Sequence, residues 1–156
     1  MYSLCKDWCT KMNEISDVVK KFFEDFERRS NTFDSSFLAL QFSDPFMVAN
    51  PDGAIQVVRK DDFIAGVSKR QAFFQSIGFQ FVKIVPLDEI RLDDHYIMAK
   101  VHSYMRFEKN PGQPIDLQDL LTYVLFIKDD SPSIVFYTTH ENLMKIMQEK
   151  GLLPTK

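Results

Sequence analysis

The sequence predicts an α+β domain in which helices come first and a run of long antiparallel strands follows. Three observations carry this. Residues 16–30 place Val18, Val19, Phe22, Phe23 and Phe26 at helical spacing, with Lys20, Lys21, Glu24, Asp25, Glu27 and Arg28 filling the opposite face. Residues 79–140 break into four strand-like segments, 79–92, 96–107, 117–128 and 133–140. Asp93-Asp94, Asn110-Pro111-Gly112 and Asp129-Asp130-Ser131-Pro132 separate them at hairpin spacing. Helices followed by strands mean α+β rather than a parallel α/β sheet. At 156 residues the chain is one domain, long enough to bury a core without staples.

Each remaining element has its own local reason. Leu4, Cys5, Trp8, Cys9, Met12 and Ile15 fall at helical spacing, so residues 1–14 are read as a helical arm joined near Asn13. Ser16 or Asn13 caps the main helix that follows. Residues 34–41 form a short helix capped by Asp34. Phe46, Met47 and Val48 lead into the Pro51-Asp52-Gly53 turn, and residues 55–58 return from it as a small hairpin. Asp61 and Asp62 open a third helix, where acidic residues suit the positive end of the macrodipole. Phe63, Val67, Phe74 and Ile77 line that helix, and Gly78 stops it.

Strand 96–107 alternates, with Ile97, Ala99, Val101, Met105 and Phe107 on one side and Tyr96, Lys100, His102, Tyr104 and Arg106 on the other. Strand 120–127 is apolar on both faces and so is central or doubly covered. Residues 141–149 close with an amphipathic helix carrying Leu143, Ile146 and Met147, and Leu152 and Leu153 continue its stripe. A curved sheet with three helices in its concave face buries the Phe residues and leaves a conical cavity suited to a small molecule.

Composition narrows the function. Phe is the unusual entry, 15 of 156 residues, which points to an aromatic core or an apolar pocket. A net charge of −3 argues against a nucleic-acid binder, which shows a basic excess. No apolar run is long enough to span a bilayer, and the first residues carry no secretory-type apolar stretch, so no membrane partner is expected. Two cysteines make no disulfide framework, which points to a reducing, cytoplasmic setting.

Four strings, together with the element order, resemble the nuclear-transport-factor-two-like superfamily, which includes SnoaL-like and ketosteroid isomerase-like proteins. They are VVKKFFEDFERRS, FLALQFSDPFMVANPDG, RKDDFIAGV and LFIKDDSPSIVFYTTHEN. The resemblance implies a cystatin-like cone over residues 15–140, with residues 141–156 as an added C-terminal helix and tail of the same domain. It also implies a homodimer, because the convex sheet face in this superfamily pairs with a second subunit. Tyr96, His102, Tyr104 and Arg106 are then the interface residues.

Carrying ketosteroid isomerase over residue by residue fails. The family's oxyanion-donating Tyr falls at Phe22, its Asp base at Asn50 and its protonated Asp near Thr122. Phe22 has no proton to donate and Asn50 is no base near neutral pH, so the chain is not an isomerase by that mechanism.

The remaining candidates are read with their plainer alternatives. Asn50 is a pocket hydrogen-bond donor or a turn cap, and Asp52 a displaced base or a surface-turn residue. If Ile134, Phe136, Thr138 and His140 share the inward face, His140 reaches the cavity mouth as an acid or base; otherwise it is a polar strand end. Phe22, Phe26, Asn50, Thr122, Phe136, Thr138 and His140 form the expected ligand-binding set. Cys5 and Cys9 share a helical face but lack further ligands nearby, and His95 and His102 differ in strand parity, so no metal is expected. No phosphate loop or nucleophile motif is present, and no cofactor is expected. The leading expectation is a pocket for a small apolar molecule. The alternatives are a cofactor-independent lyase, isomerase or cyclase on a polyketide- or steroid-like substrate, and a dimeric interaction module whose cavity Phe22, Phe26, Phe74 and Phe136 fill.

Overall fold

The computed structural model describes residues 14–154. The helical arm expected over residues 1–14, with Cys5 and Cys9, therefore lies outside the described residues apart from Glu14. Helix α1 spans Asp17–Asn31, and the Ser16 hydroxyl caps it by accepting from the Val19 amide. Its apolar stripe buries Val19, Phe22 and Phe23. Thr32, Phe33 and Asp34 lead into the short α2, Ser35–Ala39, capped by the Asp34 carboxylate.

Strand β1 runs Phe42–Ala49, beginning earlier than the Phe46 start expected from sequence. Phe42 packs 4.5 Å from the Phe46 ring and 4.6 Å from that of Phe63, and it pairs with Ile134, so packing carries the strand back through Asp44 and Pro45. Strand β2, Ile55–Val58, returns antiparallel to β1. Helix α3, Lys60–Ser76, has Asp61 and Asp62 in its first turn, and the Asp44 carboxylate accepts from the Lys60 amide at 3.0 Å. Gly78 then turns the chain at φ +83°. A Cβ there would lie 2.3 Å from the Glu108 carbonyl oxygen, so only glycine permits the approach.

The four long strands are β3 (Phe79–Arg91), β4 (Tyr96–Asn110), β5 (Gln113–Lys128) and β6 (Ser131–Thr139). β4 and β5 reach all the way to a tight turn at Pro111-Gly112. All six strands form one sheet in the order β2-β1-β6-β5-β4-β3. The sheet is antiparallel except that β1 lies parallel to β6. That pairing departs from the wholly antiparallel expectation. It is possible because the chain between β1 and β6 is long enough to return in the same direction.

β3 is an edge strand, and α1 covers it. The Asn31 side chain accepts from the Val82 amide and donates to its carbonyl, at 2.7 and 2.9 Å. Glu27 accepts from the Ile84 amide at 2.7 Å, and Glu89 accepts from Ser16 at the helix start. Polar side chains of the helix thus stand in for a missing neighbouring strand. Helix α4, Leu143–Glu149, is capped by Asn142, and the chain continues so that Met147 and Leu152 join the main core fully buried. Among the described residues no helix is long and apolar enough to cross a membrane.

Candidate functional site

The concave side of the sheet and the three N-terminal helices enclose a cavity of about 810 Å³. Phe26 and Ser30 of α1 and Phe63, Val67, Arg70 and Phe74 of α3 form one wall. The last four recur on one face of their helix. The sheet supplies the opposite wall through inward side chains that alternate along each strand: Val101, Ser103 and Met105 on β4, Asp119, Leu121 and Tyr123 on β5, Tyr137 and Thr139 on β6. The Asn50-Pro51-Asp52 turn and residues 141–145, at the start of α4, complete the lining.

Phe26, Phe42, Tyr137 and Tyr123 form a ring of four aromatic groups at this wall. Successive centroids are 5.9, 6.3, 5.5 and 6.0 Å apart. Beside it lies a polar patch. Ser103 and Asp119 are cross-strand partners, both buried, and Thr139 sits opposite Leu121, two residues further along β5 on the same face. Asp119 is only 5% exposed, and its Oδ1 has no hydrogen-bond partner among the described residues. Burial pushes its carboxyl up to about 6; the Leu120 amide opposes this, the nearby Glu141 adds to it, and His140 and Arg70 act against it more weakly. Burial likewise raises the Tyr123 and Tyr137 phenols. Arg70 lies over the Phe74 ring, 4.9 Å from its centroid.

Of the residues expected at the site, Phe26, Asn50 and Asp52 line the cavity. The Asp52 carboxylate also accepts from the Ala54 amide at 3.0 Å, so it holds the turn that it occupies. Phe22 does not line the cavity. It is 6% exposed, packs edge-on against Phe23 and lies one turn before Phe26 along the helix. Thr122 also leaves the cavity, because the inward parity of β5 belongs to Asp119, Leu121 and Tyr123. Phe136, Thr138 and His140 leave it for a different reason. Leu125 pairs with Ile134 and Val124 with Phe136, so Val135 is an extra residue with no partner opposite. The bulge reverses parity: Ile134 faces inward, but beyond it Tyr137 and Thr139 do, and Phe136, Thr138 and His140 turn to the convex face. There the His140 Nε2 lies 2.8 Å from the Thr122 hydroxyl, and the His140 amide donates to the Leu120 carbonyl.

The interface candidates lie on the convex face as expected from their parity. The His102 and Tyr104 rings are 4.3 Å apart, and Tyr96 meets Phe126 at 5.2 Å. Arg106 is already engaged in a two-pronged pair with Asp116, at 2.7 and 3.0 Å, and lies over Phe81. Sequence reasoning missed Ser103, Thr139, Glu141 and, above all, Asp119. Its signal was present: Leu117, Asp119, Leu121, Tyr123 and Leu125 share one face, and one charged group interrupts four apolar ones. Thr122 stood for the carboxyl of this strand, three residues from the one that does reach the cavity.

Solved structures similar to the chain share its fold at low identity. Aln2 from a Streptomyces species matches with a TM-score of 0.66 at 12% identity, over 82% of this chain and 91% of the other. An NTF-2 like protein of unknown function from Shewanella oneidensis matches at 0.64 and 15% identity, over 79% and 96%. The fold is that of the nuclear-transport-factor-two-like proteins. A protein with a ketosteroid isomerase-like fold from Catenulispora acidiphila, in complex with trimethylamine, matches this chain at 0.55 and 10% identity, over 85% and 93%. No protein-family model and no curated protein matches the sequence.

Proposed function

We propose that the chain binds a small, largely apolar molecule in the concave cavity and orients it by a polar edge of Ser103, Asp119 and Thr139. The carrying observation is the Asp119 Oδ1, buried and unpartnered beside a space of about 810 Å³ with aromatic walls. Leaving such a group unsatisfied costs about 1–3 kcal/mol, which a donor on a ligand would offset. The trimethylamine complex of the Catenulispora neighbour supports a small-molecule reading of this frame. Titration with the neutral apolar dye Nile red tests it. The wild-type chain should bind the dye, and Ser30→Trp, which fills the cavity from α1, should weaken binding by about tenfold or more. Equal affinity in both proteins would place the dye elsewhere and remove the reading.

A second reading is supported by the same carboxyl. An acid that titrates near pH 6 in an apolar cavity suits proton transfer without a cofactor, as an isomerase, lyase or cyclase on a polyketide- or steroid-like substrate would need. The ketosteroid isomerase arrangement does not supply it, since Phe22 faces the core and Asn50 is an amide. A turnover rate with a single limb near pH 6, lost in Asp119→Asn, would distinguish catalysis from binding. An interaction module with a filled cavity is the weakest reading, because Phe22 and Phe136 do not line the space. The chain is further proposed to act in the cytoplasm as a homodimer joined through the convex sheet face.

A further inference from the structure

We propose that the cavity selects a ligand carrying an ammonium group on an apolar ring body, with Asp119 and Glu141 receiving the ammonium and the aromatic wall receiving the body. This rests on the small-molecule reading above and specifies its ligand. The first observation is the Asp119 Oδ1, which faces the cavity side of β5, is buried, and has no donor anywhere among the described residues. The second is the four-membered aromatic ring of Phe26, Phe42, Tyr137 and Tyr123, whose π-faces attract a cation as well as an apolar group. The two are spaced for one molecule. Asp119 and Tyr123 share an inward face four residues apart, roughly 13 Å along the strand, about the length of a bicyclic aromatic with a short arm.

The charge around the site has the matching sign. Asp52, Asp119 and Glu141 line the cavity against Arg70 and Lys145. Arg70 already lies on Phe74, and of the ionisable groups near Asp119 the carboxylate of Glu141 acts most strongly, ahead of His140 and Arg70. A neutral donor would satisfy Oδ1 but leave the excess of carboxylates over cations in this lining uncompensated. An anion would meet them with like charge. An ammonium forms a charge-assisted hydrogen bond, the strongest of the three.

Three probes of one shape test this with the full chain at about pH 7.5: 2-(2-naphthyl)ethylamine, 2-(2-naphthyl)ethanol and 2-naphthylacetate, each followed by naphthalene fluorescence. The amine should bind about tenfold or more tighter than the alcohol, and the acetate more weakly than either. In Asp119→Asn the ratio of amine to alcohol affinity should fall to about one, and in Glu141→Gln, a change at an exposed position, it should fall by about threefold. Alcohol or acetate binding as tightly as the amine to the wild-type chain overturns the ammonium assignment while leaving the cavity reading standing. A preference that persists in Asp119→Asn also overturns it. Failure of all three probes to bind overturns both.

Discussion

Burial and the neighbouring Glu141 hold the Asp119 proton until the pH climbs to about 6, whereas an ordinary carboxyl releases it near 3.8. Between those values the folded chain keeps a proton that the unfolded chain has lost. Folding is therefore least penalised below about pH 4 and loses stability as the pH rises, with the loss complete above about pH 6. The full difference is roughly 2–3 kcal/mol. Asp119→Asn cannot titrate, so urea unfolding at about pH 4 and pH 8 should show the variant gaining on the wild type by that order at the higher pH. A difference that does not change with pH would mean the carboxyl is not held as described. Phe22 carries a different expectation. As a core ring 6% exposed, its change to Ala should cost about 3–5 kcal/mol in urea unfolding, and a loss below about 1 kcal/mol would put it on the wrong face of α1. At this scale the sequence shows that Phe22 and Phe26 share the inward stripe of α1, because helical spacing fixes it. Which of the two touches the cavity depends on their separation of one turn along α1, which the stripe does not record.

Elements were legible where one face is polar and illegible where neither is. Helix α1 and strand β4 have a clear polar side, and their inward residues follow from spacing alone. β6 does not: Val135 and Tyr137 are as apolar as Ile134 and Phe136, so alternation cannot reveal a bulge that exchanges them. The cover of β3 by Asn31 and Glu27 was also hidden, because a polar residue on a helix reads as solvent-facing until the strand beside it is known. α4 is the converse case. Its apolar stripe called for a surface to cover, and that surface is the main core, where Met147 and Leu152 are both 0% exposed. Residues 141–145 then lie against the cavity as a consequence of that anchoring. Met147→Ala should cost about 2–5 kcal/mol by urea unfolding, and it should lower Nile red affinity as the wall loosens. Full stability in this variant would show that the helix is a passive appendage.

Across the whole molecule the convex face carries a row that crosses every strand. Cross-strand pairing sets Val57, Met47, Phe136, Val124, Met98 and Ile90 side by side from β2 to β3. Val57 is 64% exposed and Met47 40%. A band of this kind is the reason to expect two copies face to face, since an isologous contact covers it with itself. Sedimentation at roughly tens of micromolar should give twice the chain mass, and Phe136→Glu should return the single-chain mass. A wild-type monomer at that concentration removes the dimer. The four positions proposed from sequence for this surface came from β4 alone, where alternation is plain. The row itself became visible only with the register of all six strands. The order of elements and the cone they build were, by contrast, open to reading from turn signals and periodicity.

The unpaired Val135 decides which side chains beyond it can ever meet the interior. Deleting it would restore unbroken alternation without exchanging the faces, since Phe136 would still sit opposite Val124 and Tyr137 opposite Tyr123. Drawing it into the ladder would instead move every later residue by one place, giving the interior a histidine and taking away a tyrosine. The strand therefore tolerates being one residue shorter at this point, whereas losing the kink while keeping its length would turn it inside out.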